Sequence, residues 1–580
     1  MFKNLQPLRP YFWKHKRTLF WSALSVLLMN GIWVLFPQVL RRAIDDLNTH
    51  GVTRHKVMVY ALVLVAIGSS KGIFQFLTRW LVIGISREIE YDLRNDLFAH
   101  LESLSLPYYQ RTRTGDIMAR ATNDLNAVRM LLGPAIMYTA NTLVFTVAAL
   151  AFMWRLSPKL TLYAFVPLPL ASILIQHFGR RIHERFEKIQ AQFSEISARA
   201  QENFSGARVV RAYAQENAEV ALFETSNQEY VTRSLPLARL MGMLWPALEL
   251  LLGLAIALVL WLGPREVLSG RMTAGAFFGF LTYITMLTWP VIAVGWVINI
   301  FQRGMASMGR INEILVEKPE ITDAMAKPGA GPIRGEIEFR NLNFSYNGVP
   351  VLKDVSLVVP AGSSLAIVGP TGSGKTTLVS LVPRIYDAPH GSLLLDGRSI
   401  REYPLAMLRE SIGFIPQETF LFSDTIRDNI AFGAEQATDE KIHAAAEAAN
   451  IATDIEAFPL QYQTIVGERG ITLSGGQKQR TAIARAIIRD PSIMILDDAL
   501  SSVDTYTEEK ILNHLRQIMH GRTTIFISHR VSTVRNADRI AVLHEGQIVE
   551  LGTHEELLSR EGYYTGLYNK QLLEEELARV

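Results

Sequence analysis

Six apolar segments interrupt the polar sequence within the first 300 residues of the chain. Each is about 20 residues long, which is the length of helix that crosses the ~30 Å hydrocarbon layer of a bilayer. Six buried helices of a soluble protein are the alternative, but they would need an implausibly large core. We therefore predict six membrane spans. They lie at Leu19–Phe36, Val57–Ile83, Leu132–Trp154, Leu160–Phe178, Leu240–Leu262 and Phe277–Ile300.

The connections between these spans differ in length and charge. Those after the first, third and fifth spans are short, whereas those after the second and fourth are long and rich in Lys and Arg. Because basic loops stay on the cytoplasmic side, we predict that both long loops and both termini are cytoplasmic. The N-terminal residues show no small-residue cleavage site after their apolar run, so we expect them to be retained rather than removed as a signal peptide.

Both long loops have the three- and four-residue apolar spacing of helices, so we predict that the membrane helices continue into the cytoplasm. A break follows in each loop, one at Gly115 and Asp116 and one at Ser205 and Gly206. A short amphipathic segment accompanies each break, near 113–129 and 205–220. A solvated helix face is the alternative interpretation of each segment.

Two ionisable side chains lie within the predicted spans, Lys71 in the second and Glu249 in the fifth. An ionisable group inside a bilayer indicates a functional cavity or a charged partner. If Glu249 faces a cavity, it would favour cationic cargo. The alternative is a Glu249 to Lys71 pair that only orients helices.

Composition agrees with a membrane protein and excludes several classes of partner. Apolar residues make up 49% of the 580 residues and charged residues 19%. The net charge of +3 is too small to indicate a nucleic-acid partner. The absence of cysteine excludes disulfides, thiol catalysis and cysteine metal sites.

The character of the chain changes near Glu313. The stretch 313–334 is rich in Pro, Gly, Ala and charge and has no apolar period, which is typical of a linker. We therefore predict a transmembrane domain over 1–312, a linker over 313–334 and a second domain over 335–580.

The second domain begins with two predicted strands, 337–346 and 364–369, and a helix follows the second of them. The stretch that joins the second strand to this helix fits the pattern G-x-x-x-x-G-K-[ST], in which backbone amides cradle phosphates. Lys375 would then pair with the β- and γ-phosphates, and Thr376 would hold Mg²⁺. The predicted nucleotide-binding residues are Gly369, Pro370, Thr371, Gly372, Ser373, Gly374, Lys375, Thr376 and Thr377.

A further apolar strand, Ile493 to Leu496, ends in the carboxylates Asp497 and Asp498. An ionised carboxylate is costly to bury without a cation. Asp497 is therefore predicted to organise the Mg²⁺ shell beside the phosphate loop.

The pentapeptide LSGGQ, Leu473 to Gln477, opens a basic helix and resembles the signature of the ABC transporter superfamily. Five further matches support this resemblance: an aromatic residue in the position that stacks adenine, a Q-loop glutamine, a D-loop, a switch histidine and the additional loop typical of exporters. They lie at Tyr346, Gln417, Ser502 to Asp504, His529 and Val466 to Gly470.

The resemblance covers nearly the whole chain and implies a half-transporter of the bacterial multidrug and lipid exporter type. Its fold would be an all-α six-helix transmembrane domain followed by an α/β P-loop NTPase domain, with ATP and Mg²⁺ as ligands. The family pairs two nucleotide domains head to tail, so the signature serves the other subunit's ATP. The implied roles are catalytic for Asp498, His529 and Gln417, metal-binding for Thr376, Gln417 and Asp497, and nucleotide-binding for Tyr346, Ser474, Gly475, Gly476, Gln477 and Asp504. The segments near 113–129 and 205–220 resemble coupling helices.

The chain departs from its family at Asp498, where active members usually carry glutamate. A carboxylate one methylene shorter falls ~1.5 Å short of the attacking water, and a misplacement of about 1 Å costs on the order of 100-fold in rate. The resemblance therefore favours a slow-hydrolysing half of a heterodimer, whose intact signature completes the partner's site. An active homodimer in which Asp498 is a tolerated variant remains the alternative.

The expected function is ATP-driven export of hydrophobic or amphipathic drugs or lipids across the cell (inner) membrane by alternating access. A non-transporting, ATP-dependent regulatory membrane protein is a second alternative. The six spans exclude a soluble ABC protein, and an importer is disfavoured because importers of this family normally keep the two domains on separate chains.

Overall fold

The computed structural model describes residues 2–48, 52–327, 329, 331–467, 470, 472–499, 511, 521–528 and 530–579. Its contacts divide the chain into two compact units. The first, the membrane unit, comprises residues 1–102 and 114–316. The second, the nucleotide unit, comprises residues 103–113 and 317–580. The predicted domain boundary at 312 therefore lies within the last turn of the final helix of the membrane unit, Ala274–Val316.

The membrane unit is helical throughout the described residues. Five of its described helical stretches are long and apolar enough to cross a membrane: Lys16–Leu47, Arg54–Ser103, Thr114–Leu156, Glu216–Leu268 and Ala274–Val316. Its α-helices are Arg9–Lys14, Lys16–Trp33, Phe36–Leu47, Arg54–Ser103, Thr114–Ala119, Leu125–Met130, Ile136–Leu156, Pro158–Phe165, Leu168–Ser205, Ala207–Ala212, Glu216–Leu268 and Ala274–Val316. Within the third long stretch, Thr114–Leu156, two five-residue π-helical turns, Arg120–Asp124 and Leu131–Ala135, connect the α-helices.

The predicted fourth span, Leu160–Phe178, is the one that does not appear among these five stretches. The structure divides it between the helices Pro158–Phe165 and Leu168–Ser205. Pro167 precedes the second of these helices, and a proline favours an interruption because it removes a backbone donor.

The outward faces of the membrane helices are apolar. On the helix Arg54–Ser103, the side chains of Leu62, Val65 and Ile73 are each more than 60% exposed. A surface of this composition is stable in contact with lipid, since lipid chains carry no penalty for apolar exposure. The helical membrane domain predicted from the sequence is confirmed.

The first cytoplasmic loop breaks earlier than predicted. The helix Arg54–Ser103 ends at Ser103, and a separate short helix, Leu106–Arg111, follows the extended residue Ser105. Pro107 lies in the first turn of this short helix, where its missing N–H costs no intrahelical hydrogen bond. A second break, at Thr112 and Arg113, precedes the next helix, Thr114–Ala119, so the predicted break at Gly115 and Asp116 was placed a few residues too late. The second predicted break agrees with the structure, because the helix Leu168–Ser205 ends at Gly206.

The nucleotide unit contains two sheets. A six-stranded sheet has the order β10-β9-β3-β8-β7-β6, with β10 antiparallel and the others parallel. An antiparallel sheet has the order β2-β1-β4-β5. The strands are β1 Ile337–Tyr346, β2 Val349–Val359, β3 Ser364–Val368, β4 Leu393–Leu395, β5 Arg398–Ser399, β6 Ile412–Ile415, β7 Ile493–Asp497, β8 Thr523–Ile527, β9 Arg539–His544 and β10 Gln547–Gly552.

The parallel strands are apolar on both faces because helices or the second sheet cover both sides. In β3, Leu365 and Ile367 pack into one hydrophobic cluster with the antiparallel sheet, whereas Ala366 and Val368 pack into another with the signature helix. This alternation reflects the two-residue period of a strand. The helices of the unit are Leu106–Arg111, Lys375–Ser380, Leu405–Glu410, Ile426–Ala431, Asp439–Ala448, Ala452–Glu456, Gly475–Ile487, Val531–Val534, His554–Ser559 and Tyr563–Arg579.

Candidate nucleotide site and membrane cavities

The glycine loop Gly369–Gly374 connects the carboxyl end of β3 to the helix Lys375–Ser380. Two of its glycines are required by the backbone. Gly369 has φ +150°, and a Cβ atom there would lie 2.0 Å from the carbonyl oxygen of Leu543. Gly374 has φ +100° and caps the helix. Positive φ values of this kind favour glycine, so the loop reaches the helix N-terminus only with glycine at both positions.

Lys375 lies at the start of this helix with only 7% of its surface exposed. Its Nζ donates to the carbonyl oxygens of Gly369 at 2.8 Å and Pro370 at 2.9 Å. Burial lowers the pKa of Lys375, while the negative charges of Asp497 and Asp498 act in the opposite sense. The ammonium is therefore held inside the loop, beside two carboxylates, where an anionic ligand would compensate its burial.

Ser373 indicates that the loop is shaped for a ligand with acceptor atoms. Its side chain is 3% exposed, and its Oγ has no hydrogen-bond partner among the described residues. A buried hydroxyl without a partner costs about 1–3 kcal/mol, and a phosphate oxygen would satisfy it. Pro370, Thr371 and Gly372 form the exposed tip of the same loop.

Asp497 and Thr376 meet at the carboxyl edge of the sheet, where Asp497 ends β7 and Thr376 follows β3, the strand on the other side of β8. Asp497 ends β7 opposite Ile527 of β8 and is 1% exposed. Its Oδ1 accepts a hydrogen bond of 3.1 Å from the Thr376 hydroxyl. A hydroxyl and a carboxylate are oxygen donors suited to Mg²⁺, which usually takes its remaining ligands from water and phosphate.

Asp498 adopts a left-handed backbone conformation with φ +48°. Its amide donates to the carbonyl oxygen of Ile527 at 3.0 Å, which continues the pairing of β7 with β8 one residue beyond β7. Aspartate and asparagine are several-fold enriched in this conformation compared with other non-glycine residues. The left-handed backbone is therefore a conformational reason for aspartate at this position, in addition to any effect of its shorter side chain on hydrolysis.

Tyr346 ends β1 and belongs to a group of three aromatic rings. Its ring centroid lies 5.0 Å from that of Phe344 and 5.0 Å from that of Tyr386. Its hydroxyl donates to Thr377 Oγ1 at 3.3 Å. Tyr346 is thus connected to the helix that follows the glycine loop, next to Lys375 and Thr376. Asn347 and Gly348, both with positive φ, form the tight turn that leads to β2.

Gln417 lies two residues beyond the end of β6 and is exposed. Because β6 and β7 are parallel, with Ile415 opposite Leu496, Gln417 follows the same edge of the sheet as Asp497. His529, Ser502 and Asp504, predicted from the sequence, lie outside the described residues.

The signature residues begin the helix Gly475–Ile487. Ser474 and Gln477 form a capping box, in which each side chain bonds the other residue's backbone amide. Gln477 also donates to Asp454 at 3.0 Å. Ser474 and Gly475 are exposed, whereas Leu473 is buried in the hydrophobic cluster on the side of the sheet that Ala366 faces. Ser474 and Gly475 are exposed and Gly476 and Gln477 are half-buried, while the side chains of Ser474 and Gln477 take part in capping.

Residues near the site that the sequence did not identify include Tyr386 and Gln110. Gln110 Nε2 donates to the Tyr386 hydroxyl at 2.7 Å, although the two residues are 276 positions apart. No local signal in the sequence connects them. Only the aromatic character of Tyr386, soon after the glycine-loop helix, sets it apart.

The membrane unit contains a cavity of about 700 Å³ with a mainly apolar lining. Glu249 contributes to its wall, together with Thr142, Leu252, Ile284 and Pro290. A cavity of this size is within the range that holds drug-sized ligands.

A second cavity, of about 340 Å³, has a more polar lining that includes Asn30, Lys71, Arg79 and Asn141. Asn30 donates to Asn141 at 3.2 Å, and the ammonium of Lys71 lies 4.7 Å from the ring centroid of Trp33. Glu249 thus lines the larger cavity and Lys71 the smaller one, and the two cavities share the wall residues Thr142 and Pro290.

Comparison with known proteins agrees with this arrangement. Residues 19–291 match the model of the ABC transporter transmembrane region, and residues 352–501 match the ABC transporter model. The chain therefore belongs to the ABC transporter family. It is a half-transporter of the exporter kind, a multi-pass membrane protein with a fused ATP-binding domain that is an ATPase coupled to transport.

Several relatives match over nearly their whole length. The chain is 37% identical to the probable multidrug resistance ABC transporter ATP-binding/permease protein YheI of Bacillus subtilis, covering 94% of each chain. It is 38% identical to the ATP-dependent lipid A-core flippase of Desulfotalea psychrophila, covering 89% of this chain and 90% of that one. A bacterial Atm1-family ABC exporter with ATP bound matches with a TM-score of 0.80 and 30% identity, covering 96% of this chain and 99% of that structure's chain.

Proposed function

We propose that this chain is the slow-hydrolysing half of a heterodimeric, ATP-driven exporter of hydrophobic or amphipathic molecules. The observation that carries the nucleotide part is the arrangement around the glycine loop, where buried Lys375 and the Thr376 to Asp497 contact lie together. Lys375 and the loop amides would hold the phosphates of ATP, and Tyr346 would stack on its base. Thr376, Asp497 and Gln417 would hold Mg²⁺, which supplies charge neutralisation at the phosphates.

The remaining machinery is assigned by the same proposal. Asp498 and His529 would orient the attacking water and the γ-phosphate. Ser474, Gly475, Gly476 and Gln477, with Asp504, would complete the ATP site of the second subunit. The exposure of Ser474 and Gly475 supports this, because a surface that meets a partner must be open in the single chain. The segments near 113–129 and 205–220 would act as coupling helices.

The cargo class is inferred from the larger cavity. Its mainly apolar wall and its volume of about 700 Å³ suit a drug-sized or lipid-like molecule. The relatives named for multidrug resistance and for lipid A-core flipping support the same class. The protein would act in the inner or plasma membrane, with both termini and the nucleotide unit in the cytoplasm.

The test is ATP-dependent transport by the purified complex in proteoliposomes. We expect accumulation of an amphipathic fluorescent dye with ATP and Mg²⁺, and none with ADP. Isolation of the tagged chain should recover a second half-transporter in equal amount. A complex of identical chains that transports would favour the homodimer. ATP binding without transport of any dye or labelled lipid would favour the non-transporting regulator.

Glu249 tests the cargo assignment directly. We propose that its carboxylate favours cationic cargo, so Glu249→Gln should raise the KM for transport of a cationic dye about tenfold, because a nearby unit charge contributes a few kcal/mol at most. Transport of a neutral dye should not change. Glu224→Gln, on the same helix but outside the cavity lining, is the matched control. Equal transport of the cationic dye by Glu249→Gln and the unaltered protein would reject this role.

A further inference from the structure

The short helix Leu106–Arg111 belongs to the nucleotide unit by its contacts, although the membrane helices lie on both sides of it in the sequence. Gln110 donates to Tyr386, and the amide of Glu320 donates to Ser105 Oγ at 3.2 Å. Arg111 forms an ion pair with Glu317. The helix Arg54–Ser103 ends directly before this segment, and the helix Thr114–Ala119 begins directly after it. The segment is therefore directly continuous in the chain with both helices.

Tyr386 connects this segment to the proposed base platform. Its hydroxyl accepts the bond from Gln110, while its ring meets the ring of Tyr346 at an interplanar angle of 75°. Such edge-to-face contacts are directional, because the ring edge is positive and the face negative. A change in the orientation of the Tyr346 ring would therefore alter the position of Tyr386.

Arginine side chains make several hydrogen bonds to the residues around Tyr386. Arg384, which is 2% exposed, donates to Asp387 from Nε at 2.7 Å and from a terminal nitrogen at 3.1 Å. These two residues flank Tyr386. Arg409 further donates to the carbonyl oxygens of Pro383 and Arg384.

The other side of Tyr346 faces the nucleotide site. Its hydroxyl bonds Thr377, which follows Lys375 and Thr376 in the same helix. A purine stacked on Tyr346 would restrict its ring while the phosphates occupy the adjacent loop. A base in this position would thus be connected to the first cytoplasmic loop through the rings of Tyr346 and Tyr386 and the hydrogen bond from Gln110.

We infer that Tyr386 is a positioning residue that transmits occupation of the base platform to the first cytoplasmic loop through Gln110. This inference rests on the proposed function, since it requires a purine nucleotide on Tyr346. The base of the nucleotide, and not the phosphates alone, then orders the segment 103–113. The Tyr386 ring packs against Tyr346, and the Tyr386 hydroxyl accepts from Gln110 and also interacts with the Tyr346 hydroxyl.

The test uses hydrogen–deuterium exchange of the segment 103–113 in the full-length complex in lipid nanodiscs. In the unaltered protein, ATP with Mg²⁺ should slow exchange in this segment, and inorganic tripolyphosphate, which has no base, should not. Tyr386→Phe removes the hydroxyl and keeps the ring. We expect the dissociation constant for ATP to stay within twofold. The ATP-induced protection should fall about fivefold, because the loss of one ordinary hydrogen bond changes an equilibrium by about that factor.

Gln110→Ala should cause the same loss, and the double variant should lose no more than either single one, because both remove the same bond. The matched control is Tyr403→Phe, which removes a hydroxyl that donates to the carbonyl oxygen of Leu395 at 2.9 Å in the same unit. It should leave the ATP-induced protection unchanged.

Three results would overturn the inference: full protection in Tyr386→Phe, equal protection by tripolyphosphate, or additive losses in the double variant. An ATP affinity reduced more than tenfold in Tyr386→Phe would also overturn it, since Tyr386 would then belong to the binding platform itself. If the unaltered protein failed to bind ATP, the proposed function would fail instead, and that result is read from the binding measurement alone.

Discussion

Replacing Lys375 with alanine is expected to lower the ATPase rate of the exporter complex at this chain's own site about a thousandfold. Lys375 is the one cation that the structure, within its described part, buries in the glycine loop, and its ammonium is held by the carbonyl oxygens of Gly369 and Pro370. When phosphates take the place of those carbonyls, the ammonium offsets the charge that develops on them. Alanine offers no donor, so ATP affinity should fall as well.

The measurement is ATP affinity by a fluorescent nucleotide analogue, together with single-turnover hydrolysis. Lys441→Ala is the control, because Lys441 is an exposed lysine of the helix Asp439–Ala448 in the same unit. Its affinity and rate should match those of the unaltered protein. Unchanged nucleotide affinity in Lys375→Ala would contradict the placement of the phosphates in this loop.

Replacing Asp498 with glutamate is expected to raise the ATPase rate of the purified chain alone by up to about 100-fold. The added methylene extends the carboxylate by ~1.5 Å toward the attacking water, and a shift of this size is large for a general base. ATP affinity should change little, because Lys375 and the loop amides are untouched.

The structure adds a cost to this substitution. The backbone of Asp498 is left-handed, and glutamate occupies that region less readily than aspartate. We therefore expect the faster variant to be slightly less stable to heat. Asp490→Glu separates the two effects, since Asp490 is also left-handed at φ +52°, and its side chain is 83% exposed at the other end of β7. It should show the loss of stability without the gain in rate.

The comparison also decides between the two forms of the exporter. Substantial turnover of the unaltered chain alone, not raised by Asp498→Glu, would reject the slow-site heterodimer and favour the active homodimer. Slow turnover that rises in the variant would support the heterodimer.

The sequence predicted the architecture well because its signals are local. Long apolar segments indicate membrane helices whatever their neighbours, and β1 coincides with the predicted strand at 337–346. The glycine pattern between β3 and its helix requires a tight turn at Gly369 and Gly374. These features depend on residues that lie next to one another in the chain.

The prediction for the first cytoplasmic loop was less accurate. It placed the break at Gly115, because glycine is a weak helix former, but Gly115 lies in the helix Thr114–Ala119. The chain breaks twice, at Leu104 and Ser105 and at Thr112 and Arg113, and the short helix Leu106–Arg111 between these breaks belongs to the nucleotide unit. A glycine in a helix costs only about 1 kcal/mol, which packing readily offsets.

The sequence alone thus determined the class of the protein, five of the six predicted spans, the glycine loop and the two carboxylates at the end of β7, because each is written in consecutive residues. Only the tertiary structure decided that Gln477 caps its own helix, that Asp498 is left-handed, that Lys71 and Glu249 line different cavities, and that Gln110 bonds Tyr386. Each of these depends on a backbone geometry or on a contact between distant parts of the chain. Such backbone geometries and distant contacts leave no periodic or local pattern in a single sequence, because packing selects them only when the chain is folded.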